Sequence, residues 1–407
     1  MFSSLLLSKP DEAERYMEVL KSMYGEKLAP SAWFDTLSDY LTRAGFQPAG
    51  HELAVWFRKD GCVVFSHVDD IVILAPTRAM RENFYKELSE EFDVTPMQCM
   101  EDSSRDEPIT HLAHDLFMED GDLITSLACY LEGAGNSAEV TLGKPLRHRT
   151  KLPSVDALEE EQDGYIPLDE EGIRTLRSIV GLSGYAISSL RGDGAVAHGA
   201  AGQGLSLGKG DSRHMKIAVE LIEYLVSTKH REMRWVLENR DACASDRLSL
   251  VAFWDSNFGT QKARSGGVIQ VSGLTVSQIS KRQATTSQSS TEAELISGSQ
   301  IAREAVGIMN LLAQVFHTDD DKCSLAMMGD NHATVSMVGG QSNVRKVRHL
   351  SLADLFLREL IRDDPRVTVR WISGEENPSD MLTKILRGDV LEGHLTSIGY
   401  SFFYDKV

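Results

Sequence analysis

The chain is short of positive charge, cysteine and long apolar runs. Its 407 residues include 42 Lys or Arg against 60 Asp or Glu, for a net charge of −18. Taken whole, that balance argues against a protein that simply coats nucleic acid or an anionic membrane. No apolar run approaches the roughly 18 residues of a membrane span. The opening Met1–Pro10 lacks a basic segment, and its apolar stretch is too short for a secretory signal. An intracellular protein is expected, in cytoplasm or nucleus, with no membrane partner. The five cysteines (Cys62, Cys99, Cys129, Cys243, Cys323) form no CxxC pair, which excludes a disulfide framework or a closely spaced zinc site. Gly204–Gly210 has the wrong spacing for a phosphate-binding loop, and Gly210 stands where Ser or Thr is needed. Small-molecule cofactors are therefore not expected. No internal repeat is visible.

What is present suffices for folding. A hydrophobic content of 42% excludes global disorder, and the length suggests two or three domains. Charge is uneven. Between Ser249 and Gly388 there are 15 acids and 15 bases. If some of those acids hold metal, the remaining surface there is basic, and nucleic acid is not excluded.

The patterning predicts a mixed α/β and α+β chain. Residues 20–58 read as helical. Cys62–His67 and Ile71–Ala75 read as a hairpin around Asp69-Asp70, and Thr77–Phe92 as a helix capped by Thr77. A hairpin around Glu119-Asp120-Gly121-Asp122 falls within 109–131. Asp156–Glu171, with eight acids and no base, reads as a solvated connector. Helices are expected at 171–190 and 212–228, with a Gly-rich loop over 192–210. Strands follow at 249–254, 265–271 and 274–280, then a helix at 290–314. After these come a strand at 323–329, helices at 331–338 and 346–362, a strand at 366–372, and a helix from Pro378. Three strands followed by alternating helices and strands make a mixed sheet.

Four acids in this last third sit at strand ends or helix starts, where open sheets gather ligand-binding groups. They are Asp255, Glu294, Asp330 and Asp380. Four converging carboxylates would repel one another without cations. Their contexts are Ser289-Ser290-Thr291-Glu292-Ala293-Glu294, Asp330-Asn331 and Asn377-Pro378-Ser379-Asp380-Met381-Leu382-Thr383. In this order they resemble the ribonuclease H domain of copia-type retrotransposons. Lys281-Arg282-Gln283 and Arg348-His349 also match its pattern. The resemblance implies hydrolysis of the RNA strand of RNA–DNA hybrids by Asp255, Glu294, Asp330 and Asp380 with two Mg²⁺ ions, replaceable by Mn²⁺. Glu294 is taken over Glu292 because it precedes Leu295-Ile296. Lys281, Arg282, Arg345, Lys346 and Arg348 are the implied nucleic-acid contacts. The sequence departs from the family at Ser256-Asn257, and at Trp371–Gly374, which lacks a histidine many ribonucleases H carry.

His67-Val68-Asp69-Asp70 resembles the Y-V-D-D hairpin of reverse transcriptases, and Leu20–Trp33 the copia-type segment upstream of it. Gly181–Tyr185 and Arg191-Gly192-Asp193 resemble the connection stretch between polymerase and ribonuclease H. The implied layout is a partial palm at 1–95 and a thumb or connection region at 96–245. A ribonuclease H-like domain spans 246–390, with a tail at 391–407. The family's first catalytic aspartate and its fingers are missing. Asp69 and Asp70 are thus expected to be vestigial metal ligands of an inactive polymerase half in a truncated Pol fragment. Competing readings are a catalytically dead remnant, a domesticated binding fragment, or a subunit completed by other Pol-derived chains.

Overall fold

The computed structural model describes residues 25–50, 52–158, 165–236, 247–259, 262–340 and 356–402. Two compact units result, Met1–Val94 and Thr95–Val407. The mixed α/β class expected from the patterning is observed. The segments Leu20–Tyr24 and Arg345–His349, with Arg345, Lys346 and Arg348, lie outside the described residues.

In the first unit, α1 (Ala29–Arg43) carries Pro30 in its first turn, where a missing N–H is tolerated. Gly45, at φ 87°, lies just past its end. The helical reading of 20–58 is corrected here: beyond Arg43 the chain forms β1 (Gln47–Ala49) and β2 (Glu52–Phe57). Val55-Trp56-Phe57 are residue types that favour a packed strand, and all three are buried. β3 (Val63–His67) and β4 (Asp70–Leu74) form the expected hairpin, with His67 opposite Asp70. The sheet runs β1-β2-β3-β4, all antiparallel. α2 (Arg78–Glu91) is capped as expected, Thr77 Oγ1 accepting from the Met80 amide at 3.3 Å. Leu37 and Leu41 of α1 and Phe84 and Leu88 of α2 join Trp56 and Val64 in one core.

The second unit begins with β5 (Ile109–His111), β6 (His114–Glu119) and β7 (Asp122–Ser126). Asp120 and Gly121, both at positive φ, make the two-residue turn. Then come α3 (Ala128–Leu142), α4 (Glu170–Ser189), α5 (Ala195–Gln203), α6 (Ser212–Ser227) and β8 (Arg231–Trp235). α5 corrects the loop expected over 192–210. Its glycines suggested a loop, but Ala195, Ala197, Ala200 and Ala201 are buried in the same core as α4 and α6, and packing overrides propensity.

The chain continues through β9 (Leu248–Asn257), β10 (Arg264–Val271), β11 (Leu274–Arg282) and α7 (Ser290–Val315). Next are β12 (Cys323–Gly329), α8 (His332–Val338), α9 (Phe356–Asp363) and β13 (Val367–Trp371). It closes with α10 (Gly388–Ser397) and β14 (Tyr400–Phe402). Pro378–Leu382 is a short 3-10 turn, not the start of the last helix. Within the expected tail at 391–407, β14 pairs with β8, and Leu391, Leu395 and Tyr400 are buried in the core. One sheet runs β14-β8-β7-β6-β5 and is antiparallel. The other runs β11-β10-β9-β12-β13, with β12 parallel to both neighbours.

Arg191 and Asp193 form a wholly buried ion pair at 2.9 Å, joined by Tyr224, Thr228 and Arg231. This Arg-Gly-Asp stretch is a structural element of the helical region.

Candidate metal centre

β9 is the central strand of the second sheet. β12 lies parallel to it, with Gly329 opposite Trp254. The strands therefore run the same way in register, and the next residues, Asp255 and Asp330, emerge side by side at one end of the sheet. Gly329 is needed there, since a Cβ would stand 2.2 Å from the buried Trp254 ring. α7 crosses the same end. Its Ser297 Oγ donates to the Asp255 carbonyl at 2.7 Å, and Ile301 fills the space left by Gly267.

The two glutamates of α7 separate by direction. Ser289 Oγ accepts from the Glu292 amide at 3.2 Å, and Glu292 Oε2 accepts from the Gln288 amide at 2.7 Å. Glu292 is thus occupied in capping the helix. Glu294 turns toward the sheet, where its Oε1 accepts from the Ser256 amide at 3.2 Å.

Asp255, Glu294 and Asp330 each offer an oxygen within 4.8 Å of the others, the one such group among the described residues. Asp255 and Glu294 are only 2% and 5% exposed. Burial, then the charges of Asp255 and Asp330, push the Glu294 carboxyl up to about 9. Burial and the Asp255 charge also raise Asp330. Glu294 Oε2 is buried without a hydrogen-bond partner. A divalent cation fits this set: hard oxygen donors, crowded negative charge and a bare buried acceptor.

Asp380 stands beside this group and not within it. Lys384 Nζ bridges the two, at 2.8 Å from Asp380 Oδ1 and 3.4 Å from Asp255 Oδ2. Burial pushes Asp380 up to about 6, against the hydrogen bond from Lys384. Burial works to lower the Lys384 ammonium, but Asp255 and Asp380 outweigh it and hold the pKa above its usual value. Thr383 Oγ1 donates to Asp255 Oδ2, and Asn377 Nδ2 donates to the Trp254 carbonyl at 2.9 Å. Sequence reasoning assigned no role to Lys384, Thr383 or Asn377. The signal for Lys384 was its i+4 spacing from Asp380.

Lys281 and Arg282 are exposed at the end of β11. Asp69 and Asp70 are exposed at the β3–β4 turn, and no third acid joins them among the described residues. Trp371, 46% exposed, donates from Nε1 to the Asp330 carbonyl at 2.9 Å and stacks on His332 with centroids 4.4 Å apart. No helix among the described residues is long and apolar enough to cross a membrane.

Residues 7–103 match the family model described as reverse transcriptase (RNA-dependent DNA polymerase). The chain is 22% identical over 396 residues to the Transposon Ty1-DR6 Gag-Pol polyprotein of Saccharomyces cerevisiae. That alignment covers 92% of this chain and 21% of the relative. The Transposon Ty1-GR2 Gag-Pol polyprotein of the same organism matches at 21% identity over the same shares. The chain thus spans about a fifth of the length of these curated relatives. Among solved structures, the ribonuclease H domain of rv2228c from Mycobacterium tuberculosis aligns at 16% identity. It covers 37% of this chain and 98% of that one, with a TM-score of 0.27. LC11-RNase H1, solved in complex with an RNA/DNA hybrid, aligns at 15% identity, covering 33% and 92%, with a TM-score of 0.24. The resemblance to copia-type Pol polyproteins is borne out by similarity to Ty1 Gag-Pol polyproteins over 92% of this chain, and its reverse-transcriptase part by the family model over residues 7–103.

Proposed function

We propose that this chain carries a divalent-metal nuclease centre that hydrolyses the RNA strand of RNA–DNA hybrids. The observation that supports it best is the meeting of Asp255, Glu294 and Asp330 around the bare Glu294 Oε2. In this reading Asp255, Glu294 and Asp330 hold the metal, and Asp380 serves the second position. Bound there, Mg²⁺ or Mn²⁺ supplies activation of the attacking water and stabilisation of the leaving 3′ oxygen. The chain's own groups set the geometry. Ser256 and Ser297 fix Glu294 and Asp255 through backbone hydrogen bonds, and Thr383 orients the Asp255 carboxylate. Lys281 and Arg282 contact the backbone of the hybrid, with Arg345, Lys346 and Arg348 in the same role. Asp69 and Asp70 belong to the polymerase-like unit, where no third acid joins them among the described residues. Other Pol-derived chains are its expected partners.

A second reading, nucleic-acid binding without turnover, draws on Lys384, whose ammonium already neutralises Asp255 and Asp380. Labelled RNA–DNA hybrid, RNA duplex and DNA duplex, each incubated with the full chain and Mg²⁺, separate the two. RNA-strand cleavage confined to the hybrid is expected. Binding without cleavage from folded protein favours the second reading.

A further inference from the structure

Beside the acids lies a feature of opposite charge. A cavity of about 110 Å³ opens between α5 and the end of the β9–β10–β11 sheet. Lys262, Arg264 and Arg282 line it, with Asn257, Thr383 and Gln203. Three cations thus share one small cavity.

Arg264 is the informative residue. Its guanidinium lies against Gly199, where a Cβ would stand 2.2 Å from Nη2. Nη1 donates to Ser280 Oγ at 3.1 Å. No carboxylate pairs with it among the described residues. Burial, then the Arg282 charge, pull its pKa below the usual arginine value. His198 is likewise held low by burial and by Arg264, and an imidazole in either protonation state offers Arg264 no negative charge. Withdrawing a cation from water beside another cation is costly unless an anion offsets it. The planar fork of arginine suits an oxyanion, and phosphate above all.

We propose that this cavity is an anion site that takes one phosphate group of a nucleic-acid backbone, held by Arg264, Lys262 and Arg282. The proposal rests on the nucleic-acid reading above but not on hydrolysis. Thr383 connects the two places, since it lines the cavity and donates to the Asp255 carboxylate. The wall supplied by α5 gives the helical region a part in binding, whereas the acids come from the sheet and α7.

The test uses the full chain in EDTA, so that cleavage is absent. Anisotropy of a labelled RNA–DNA hybrid is measured across a KCl series for wild type, Arg264→Gln and Gln203→Glu. The second variant brings a carboxylate to the cavity without removing the arginine. Both should weaken binding roughly tenfold and reduce the salt slope by about one. In parallel, inorganic phosphate at matched ionic strength should raise the Tm of wild type and leave that of Gln203→Glu unchanged. Unchanged affinity and slope overturn the proposal. If phosphate still stabilises the wild type in that case, the cavity takes free phosphate and the nucleic-acid assignment fails. Should Arg264→Gln not fold, Gln203→Glu decides. A hybrid bound with this dependence but left intact in Mg²⁺ keeps the anion site and refutes the hydrolytic reading.

Discussion

Replacing Glu294 with Gln should stabilise the metal-free protein at neutral and alkaline pH while weakening its response to Mg²⁺. Glu294 is 5% exposed, faces Asp255 and Asp330, and titrates at about 9 rather than its ordinary 4.5. Between those values the folded chain retains a proton that the unfolded chain has released. Stability therefore falls as pH rises, by about 1.4 kcal/mol per unit. The contribution is full below 4.5 and lost by about 9. From pH 5 to pH 8 the loss is about 4 kcal/mol as an upper bound, less whatever the neighbouring carboxylates share. Gln keeps an oxygen for the Ser256 amide but cannot ionise. Urea unfolding in EDTA across pH 5–8 should give a falling midpoint for wild type and a flatter one for Glu294→Gln. Mg²⁺ should restore the wild type at pH 8 and leave the variant nearly unmoved. A wild-type midpoint that ignores both pH and Mg²⁺ would refute the crowding argument.

Three further outcomes follow from the packing around the site. Lys384→Met removes the cation between Asp255 and Asp380. It should lower stability in EDTA by about 1 kcal/mol, given the side chain's partial exposure, and Mg²⁺ should recover that loss in a thermal melt; no recovery would mean that Lys384 does not stand in for metal charge. Asp193→Asn breaks the buried pair with Arg191 and should cost about 3–5 kcal/mol in urea unfolding. Burial alone would raise Asp193, but Arg191 and Arg231 hold it at about 2, so the contribution is present above pH 3.8 and fades toward pH 2, and a neutral substitution would contradict this. Gly329→Ala drives a methyl into the Trp254 ring and should cost about 1–3 kcal/mol; because Asp330 is the next residue, Mg²⁺ titration should show weaker binding, and unchanged affinity would separate the glycine from the site.

Local chemistry made much of this fold legible. Asp120-Gly121 marked a two-residue turn, and both residues adopt positive φ, as do Ser272 and Gly273 between β10 and β11. Thr77 marked a helix start, and its side chain caps as its type suggests; the Ser289 cap of α7 is seen only in the structure. The motif order pointed to Asp255, Glu294 and Asp330, which meet at one end of the sheet because β9 and β12 are parallel with Trp254 opposite Gly329. Sequence patterning failed where packing decides. The Gly-rich 195–203 stretch is helical because small residues allow close contact among α4, α5 and α6. β14 and its partner β8 lie more than 160 residues apart in the chain, beyond the reach of local pattern. The counter-charges were hidden for the same reason. Lys384 and Arg264 matter through what they face, which spacing alone does not reveal.

Whether Asp255, Glu294 and Asp330 work as a metal centre for RNA hydrolysis is decided by incubating a hybrid labelled on its RNA strand with Mg²⁺ and the full chain, wild type beside Asp330→Asn. Expected are RNA-strand cleavage by the wild type and a loss of at least about a hundredfold in rate in the variant, the order of a lost electrostatic group at a reacting centre. Equal rates in the two, or an intact RNA strand with folded wild type, would contradict it.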